Sequence, residues 1–81
     1  MAEIKMYGTT WCADCTRAKA FMDKNEIDYE WTNVDEEKEF IDYILEINNG
    51  ERRVPTIVFS DGSVLVEPTN RQLADKLAID V

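Results

Sequence analysis

The stretch Glu3-Ile4-Lys5-Met6-Tyr7-Gly8-Thr9-Thr10-Trp11-Cys12-Ala13-Asp14-Cys15-Thr16-Arg17-Ala18-Lys19-Ala20-Phe21-Met22 decides how this chain is read. Glu3 to Tyr7 fits a short opening strand, and Gly8 to Trp11 a loop. From Ala13 to about Asn25 the spacing is helical, with Ala18, Phe21 and Met22 on one face. Cys12 and Cys15 therefore fall where a strand has ended and a helix begins. Backbone N–H groups at a helix N-terminus lack intrahelical partners and carry partial positive charge. They favour the thiolate form of a cysteine placed at the cap, here Cys12. Cys15 lies one turn deeper on the same face, where the two sulfurs can meet. Its own thiol is expected to stay protonated and shielded. This division of labour suits dithiol exchange: Cys12 attacks a disulfide, a mixed disulfide forms, and Cys15 attacks Cys12 to release the reduced product. Arg17 and Lys19, within about a turn, add positive potential, whereas Asp14 opposes thiolate formation.

The composition narrows the alternatives. Eighty-one residues give one small domain, residues 1–81, burying only about 60% of its unfolded surface. Hydrophobic residues make up 44% and charged residues 32%, which is globular rather than disordered. Seventeen acids against nine bases give a net charge of −8, so neither nucleic acid nor an anionic membrane is expected as a partner. There is no histidine, which removes Ser-His-Asp and Cys-His catalysis and every His-containing metal site. With only two cysteines, a four-ligand zinc site cannot be completed within one chain, and no metal is expected. A bridge between residues so close closes too short a loop to be an effective staple. No apolar run reaches the roughly 18 residues of a membrane span, and Met1 to Tyr7 is too short and too charged for a signal peptide. The expectation is a cytoplasmic monomer whose paired cysteines do chemistry.

Downstream, Asp28 to Val34 alternates and is rich in aromatic and β-branched residues, so it reads as a second strand. Asp35 or Asn33 caps a second helix with Glu36 and Glu37 in its first turn and Phe40, Ile41, Ile44 and Leu45 on its apolar face. Asn48-Asn49-Gly50 supplies a left-handed stop. Thr56 to Ser60 and Ser63 to Glu67 are two strands joined at Asp61-Gly62, a type I′ hairpin signal. Thr69 and Gln72 form a capping box ahead of a last helix whose buried face is Leu73, Ala74, Leu77 and Ala78. The order is β-α-β-α-β-β-α, with the first β-α-β connection parallel and right-handed.

With these residues placed, the chain resembles the glutaredoxins, and most closely their mycoredoxin-type branch. The resemblance runs over nearly the whole length. It rests on Tyr7-x-x-x-Trp11-Cys12-x-x-Cys15-x-Arg17, Val34-Asp35, Asn49-Gly50-x-x-x-Val54-Pro55-Thr56 and Phe59-x-Asp61-Gly62-Ser63-x-Leu65-x-x-Pro68. It implies an α/β (α+β) thioredoxin-like fold, a four-stranded mixed sheet flanked by three helices. It implies a cis Val54-Pro55 bond facing the cysteines, with Val54 backbone groups open to an extended substrate. The implied activity is thiol-disulfide oxidoreduction on disulfide-containing or S-thiolated proteins, with Cys12 and Cys15 catalytic and no tightly bound cofactor. Trp11, Ala13, Asp14, Arg53, Val54, Pro55 and Thr69 are the implied substrate-binding residues. Electrons would come from a low-molecular-weight thiol such as glutathione or mycothiol, or from an NADPH-linked reductase. Glutathione-using members usually carry Lys where this chain has Thr9, Pro-Tyr where it has Ala13-Asp14, and Gly-Gly with an acidic helix start where it has Glu67 to Asn70. These departures point away from glutathione. Three other readings stay open: an electron carrier reduced by thioredoxin reductase, a module in which two chains share an iron–sulfur cluster through Cys12, and a redox-inert adaptor that uses the groove for binding.

Overall fold

The computed structural model describes residues 4–79. The elements are β1 (Lys5–Gly8), α1 (Ala13–Lys24), β2 (Glu30–Asn33), α2 (Glu39–Ile47), β3 (Thr56–Val58), β4 (Val64–Val66) and α3 (Asn70–Leu77), in the expected order. They build one mixed sheet with strand order β2-β1-β3-β4. β1 runs parallel to β2 and antiparallel to β3, and β4 returns antiparallel on β3. The α1 crossover makes the parallel pair possible, since parallel strands cannot be joined by a tight turn.

Side chains alternate across the central strands and divide the core in two. Met6 and its register partner Ile57 face Ala18, Phe21, Met22, Leu73 and Ala74, so this face carries α1 and α3. Tyr7 and Val58 face the other way, toward Val34 and Ile44 with Phe40 and Ile41, so that face carries α2. Met6, Met22, Ile44, Ile57 and Leu73 are fully buried. Each such side chain contributes about 1.5–3 kcal/mol relative to an exposed one.

Several boundaries differ from the sequence expectation. Glu3 lies outside the described residues, and β1 extends through Gly8, whose carbonyl accepts the Val34 N–H at 2.9 Å. β2 is confined to Glu30–Asn33, which pair with Lys5–Gly8. Neither Asp35 nor Asn33 caps α2, and Glu36 and Glu37 precede the helix. The Asn33 side chain accepts the Asp35 N–H, and its carbonyl accepts the N–H groups of Glu36 and Glu37, closing a turn of its own. The helix then starts at Glu39, with Lys38 at the cap and no side-chain capping bond. Asn49 (φ 56°) and Gly50 (φ 88°) give the left-handed stop as expected. The hairpin is not type I′, which would place both Asp61 and Gly62 in the left-handed region. Of the two, Gly62 alone is there (φ 86°). The Gly62 N–H reaches the Phe59 carbonyl and the Phe59 N–H reaches the Ser63 carbonyl, which makes a three-residue loop, Ser60 to Gly62. Asp61 accepts from the Ser63 N–H and hydroxyl and from Lys76. The Thr69–Gln72 capping box is present. Ala78 is exposed and left-handed at the C-cap, so it leaves the buried face to Leu73 and Ala74, with Leu77 half-buried.

Candidate functional site

Cys12 is the N-cap of α1. Its backbone is extended (φ −88°, ψ 118°), which turns its side chain back over the first turn, and its Sγ accepts the Cys15 N–H at 3.3 Å. One of the helix's unpaired donors thus points at the sulfur, and negative charge developing there meets the positive end of α1. On its other side the Cys12 S–H donates to the Val54 carbonyl at 3.6 Å. The Val54-Pro55 peptide is cis, and Pro55 is buried against the domain. Residues 42 positions apart thereby meet at one sulfur.

Cys15 is fully buried and Cys12 half-buried, and both are free thiols. Burial pushes the Cys15 thiol up to about 12; the Thr9 backbone N–H pulls it down, and the Cys12 sulfur and the Asp14 charge push it further up. The Cys15 sulfur lies in a slot with Gly8 of β1 on one side and the Trp31 indole of β2 close by. A Cβ built on Gly8 would stand 2.6 Å from the Cys15 Sγ and 2.9 Å from Trp31 Cη2. The Lys19 ammonium sits 4.0 Å from the centre of a Trp31 ring.

The two opposing charges read from the sequence meet each other. Arg17 pairs with Asp14 at 3.3 Å and also donates to Asn70 Oδ1 at 2.9 Å and to the Pro68 carbonyl at 3.0 Å. It ties the first turns of α1 to the start of α3. Lys19 engages Trp31, so neither cation is free to act on the Cys12 sulfur alone.

Trp11 is 71% exposed beside Cys12, and its indole N–H donates to Asp35 Oδ2 at 2.8 Å. The other oxygen of Asp35 accepts from Arg52 at 2.8 Å. One carboxylate therefore links the loop before the cysteines to the loop before Pro55. Arg53 pairs with Glu51 at 2.7 Å and Glu67 at 3.5 Å. Ala13 and Asp14 are exposed on the first turn of α1. Thr69 sits at the neighbouring N-terminus of α3, its hydroxyl engaged by the Gln72 N–H. Thr9 is buried, so the side chain at this position does not project from the rim.

A family model described as glutaredoxin matches residues 4–65. The chain belongs to the glutaredoxin family. Mycoredoxin 1 of Corynebacterium glutamicum is 30% identical over 77 residues, covering 95% of both chains. A Mycobacterium tuberculosis protein provisionally named a glutaredoxin is 33% identical over 76 residues, covering 94% of this chain and 90% of that one. The crystal structure of a glutaredoxin from Archaeoglobus fulgidus superposes with a TM-score of 0.80 at 28% identity, covering 95% of this chain and 87% of the other.

Within this glutaredoxin-family domain, the structure gathers Trp11, Cys12, Cys15, Val54 and Pro55 at one end of the sheet. Arg53 and Thr69 stand at the margin, each already engaged. Sequence reasoning missed three neighbours. Asp35 was expected as a helix cap and instead bridges Trp11 and Arg52. Trp31, within the strand expected over Asp28 to Val34, walls the Cys15 slot. Gly8 was assigned to a loop, although a side-chain-free residue just before a cysteine pair is a visible signal of close approach.

Proposed function

We propose that this domain reduces protein disulfides, or mixed disulfides between proteins and low-molecular-weight thiols, with Cys12 attacking and Cys15 resolving. The arrangement that carries the reading is the Cys12 sulfur at the α1 N-terminus, accepting the Cys15 N–H while Cys15 lies buried behind it. The Cys12 thiolate attacks one sulfur of the substrate disulfide, the substrate S–S bond breaks, and the departing thiolate takes up a proton. In the dithiol route the Cys15 thiolate then attacks Cys12 Sγ, the Cys12–Cys15 bond forms, and the second substrate thiol leaves. A half-buried attacker in front of a shielded, protonated partner keeps those steps in order.

Trp11 and Val54 line the approach to Cys12, with Pro55 behind and Ala13, Asp14, Arg53 and Thr69 around it. An extended substrate could pair with the Val54 backbone as an added strand. The electron donor we favour is a low-molecular-weight thiol other than glutathione. Arg17, Arg52 and Arg53 are all paired with carboxylates, so a tripeptide with two carboxylates would have to break ion pairs to be held. A recess of about 460 Å³ beside Thr10 adds Glu30, Glu36 and Glu37 to its lining. A cysteine pair that does chemistry rather than staple the fold suits a reducing compartment such as the cytoplasm.

The test starts from oxidised protein and compares its reduction by glutathione, mycothiol and bacillithiol with that by NADPH and thioredoxin reductase. Fast reduction by one small thiol, abolished turnover in Cys12→Ser and slow reduction by the reductase are expected. Reduction by the flavoenzyme alone would replace this reading with that of a thioredoxin-type carrier.

A further inference from the structure

We infer that Gly8 is a positioning residue for the resolving step: having no side chain, it leaves the slot from which the Cys15 sulfur reaches Cys12. The inference rests on the dithiol reading above. A methyl group on Gly8 would stand 2.6 Å from the Cys15 Sγ, well inside the 3.4 Å at which ordinary contact begins, so something must move. The Gly8 backbone is held in β1, opposite Asn33 and bonded to the Val34 N–H. Trp31 is held in the neighbouring strand, with Lys19 over its ring. The Cys15 Cα is fixed in the first turn of α1. The freest group is the Cys15 Sγ itself, which turns on a single bond between staggered positions. The same methyl would stand 2.9 Å from Trp31 Cη2, so it presses on the wall of the slot as well as on the sulfur; of the two cysteines it displaces the resolving one, because Cys12 lies at the cap and holds its contact to Val54.

The resolving step is sensitive to such a displacement. The Cys15 thiolate must attack Cys12 Sγ in line with the bond to the departing group. The Cys12–Cys15 bond forms, the Cys12–SR bond breaks, and RS⁻ leaves with the electron pair and is protonated by solvent. A misplacement of about 1 Å in such a reaction costs about 100-fold in rate. The first step, attack by Cys12, needs nothing from the slot. Gly8→Ala thus separates the two half-reactions.

The experiment uses 5,5′-dithiobis(2-nitrobenzoate), a small symmetrical disulfide whose released thiolate is coloured. Cys12 attack releases one equivalent, and Cys15 resolution releases the second while closing the intramolecular disulfide. Wild type is expected to release both in quick succession. Gly8→Ala is expected to release the first at an unchanged rate and the second about 100-fold more slowly. A second equivalent as fast as in wild type overturns the inference. Equal slowing of both equivalents also overturns it, because that is the mark of a general structural role. If Gly8→Ala does not fold, Gly8→Ala/Trp31→Leu decides, compared with Trp31→Leu alone. With the 2.9 Å ring contact relieved and the sulfur contact kept, this double variant is expected to fold and to release the second equivalent more slowly than Trp31→Leu; a second equivalent just as fast, or a chain that stays unfolded, overturns the inference. A single equivalent from wild type would refute the dithiol reading itself and the inference with it.

Discussion

Reduced protein treated with iodoacetamide at pH 8 is expected to lose one thiol and keep the other. Only the thiolate alkylates. Cys15 is fully buried, and its thiol is pushed up to about 12 from an ordinary value of 9.0. At pH 8 a thiol ionising near 9 is about one-tenth thiolate, and one ionising near 12 about one part in ten thousand. Cys15 should therefore alkylate about a thousandfold more slowly than a free cysteine, before any steric shielding is counted. Acid-quenched time points with peptide mass mapping would assign each label to its cysteine. The Cys15 rate should climb about tenfold for each step of one pH unit from 8 to 11, with no plateau. Cys15 labelling in folded protein within about tenfold of free cysteine, or levelling off below pH 10, would refute the reasoning. The same burial sets a sign for stability. Between pH 9 and 12 the unfolded chain gives up the Cys15 proton and the folded chain keeps it. Stability from this group is complete below pH 9 and is lost as pH rises toward 12, by up to about 4 kcal/mol. Denaturant titrations of reduced protein should show the decline, and Cys15→Ala should show a smaller one that sets in only above pH 10, where burial and neighbouring negative charge also hold the Tyr29 and Tyr7 phenols protonated in the fold.

Other outcomes follow from single contacts. Thr69→Ala removes half of the α3 capping box and should cost about 1 kcal/mol, lowering Tm by roughly 4–8 °C in a domain of this size. Ile57→Ala empties a fully buried position on β3 and should cost about 2–5 kcal/mol, a large part of a small domain's stability, read by chemical denaturation. Asp35→Ala should change stability by less than about 1 kcal/mol, because both of its bonds are exposed. It should nevertheless lower the fluorescence anisotropy of Trp11, measured in a Trp31→Phe background; unchanged anisotropy would mean that the Asp35 bond does not restrain the indole.

The parts of the fold that periodicity controls were legible. The seven elements followed from apolar spacing, and Thr69 and Gln72 fixed the start of α3 because a capping box is a local signal. What failed was competition between local partners. Asn33 and Asp35 are both good caps in isolation, yet Asn33 closes its own turn and Asp35 turns outward to Trp11 and Arg52. Asp61-Gly62 signals a two-residue turn, but Asp61 instead holds Ser63 and Lys76, and the loop widens to three. The candidate site divided in the same way. The Cys12–Cys15 pair and its place at a helix start could be read from adjacent residues. The wall that Gly8 and Trp31 build around Cys15 needs the β1–β2 register, which no local pattern states.

The bond from Cys12 to Val54 spans half the chain, and the link from Trp11 through Asp35 to Arg52 ties the same two stretches together through a third. A nascent chain that ends before residue 54 carries both cysteines but neither the Val54 carbonyl that meets Cys12 nor the strands β3 and β4 that follow it. Until the last strands dock, it is only a flexible peptide dithiol, open to whichever oxidant it meets. Selective chemistry at Cys12 is thus a property of the assembled topology. The rate at which the chain becomes a discriminating reagent is set by closing its longest loops, which is slower than forming α1 by itself.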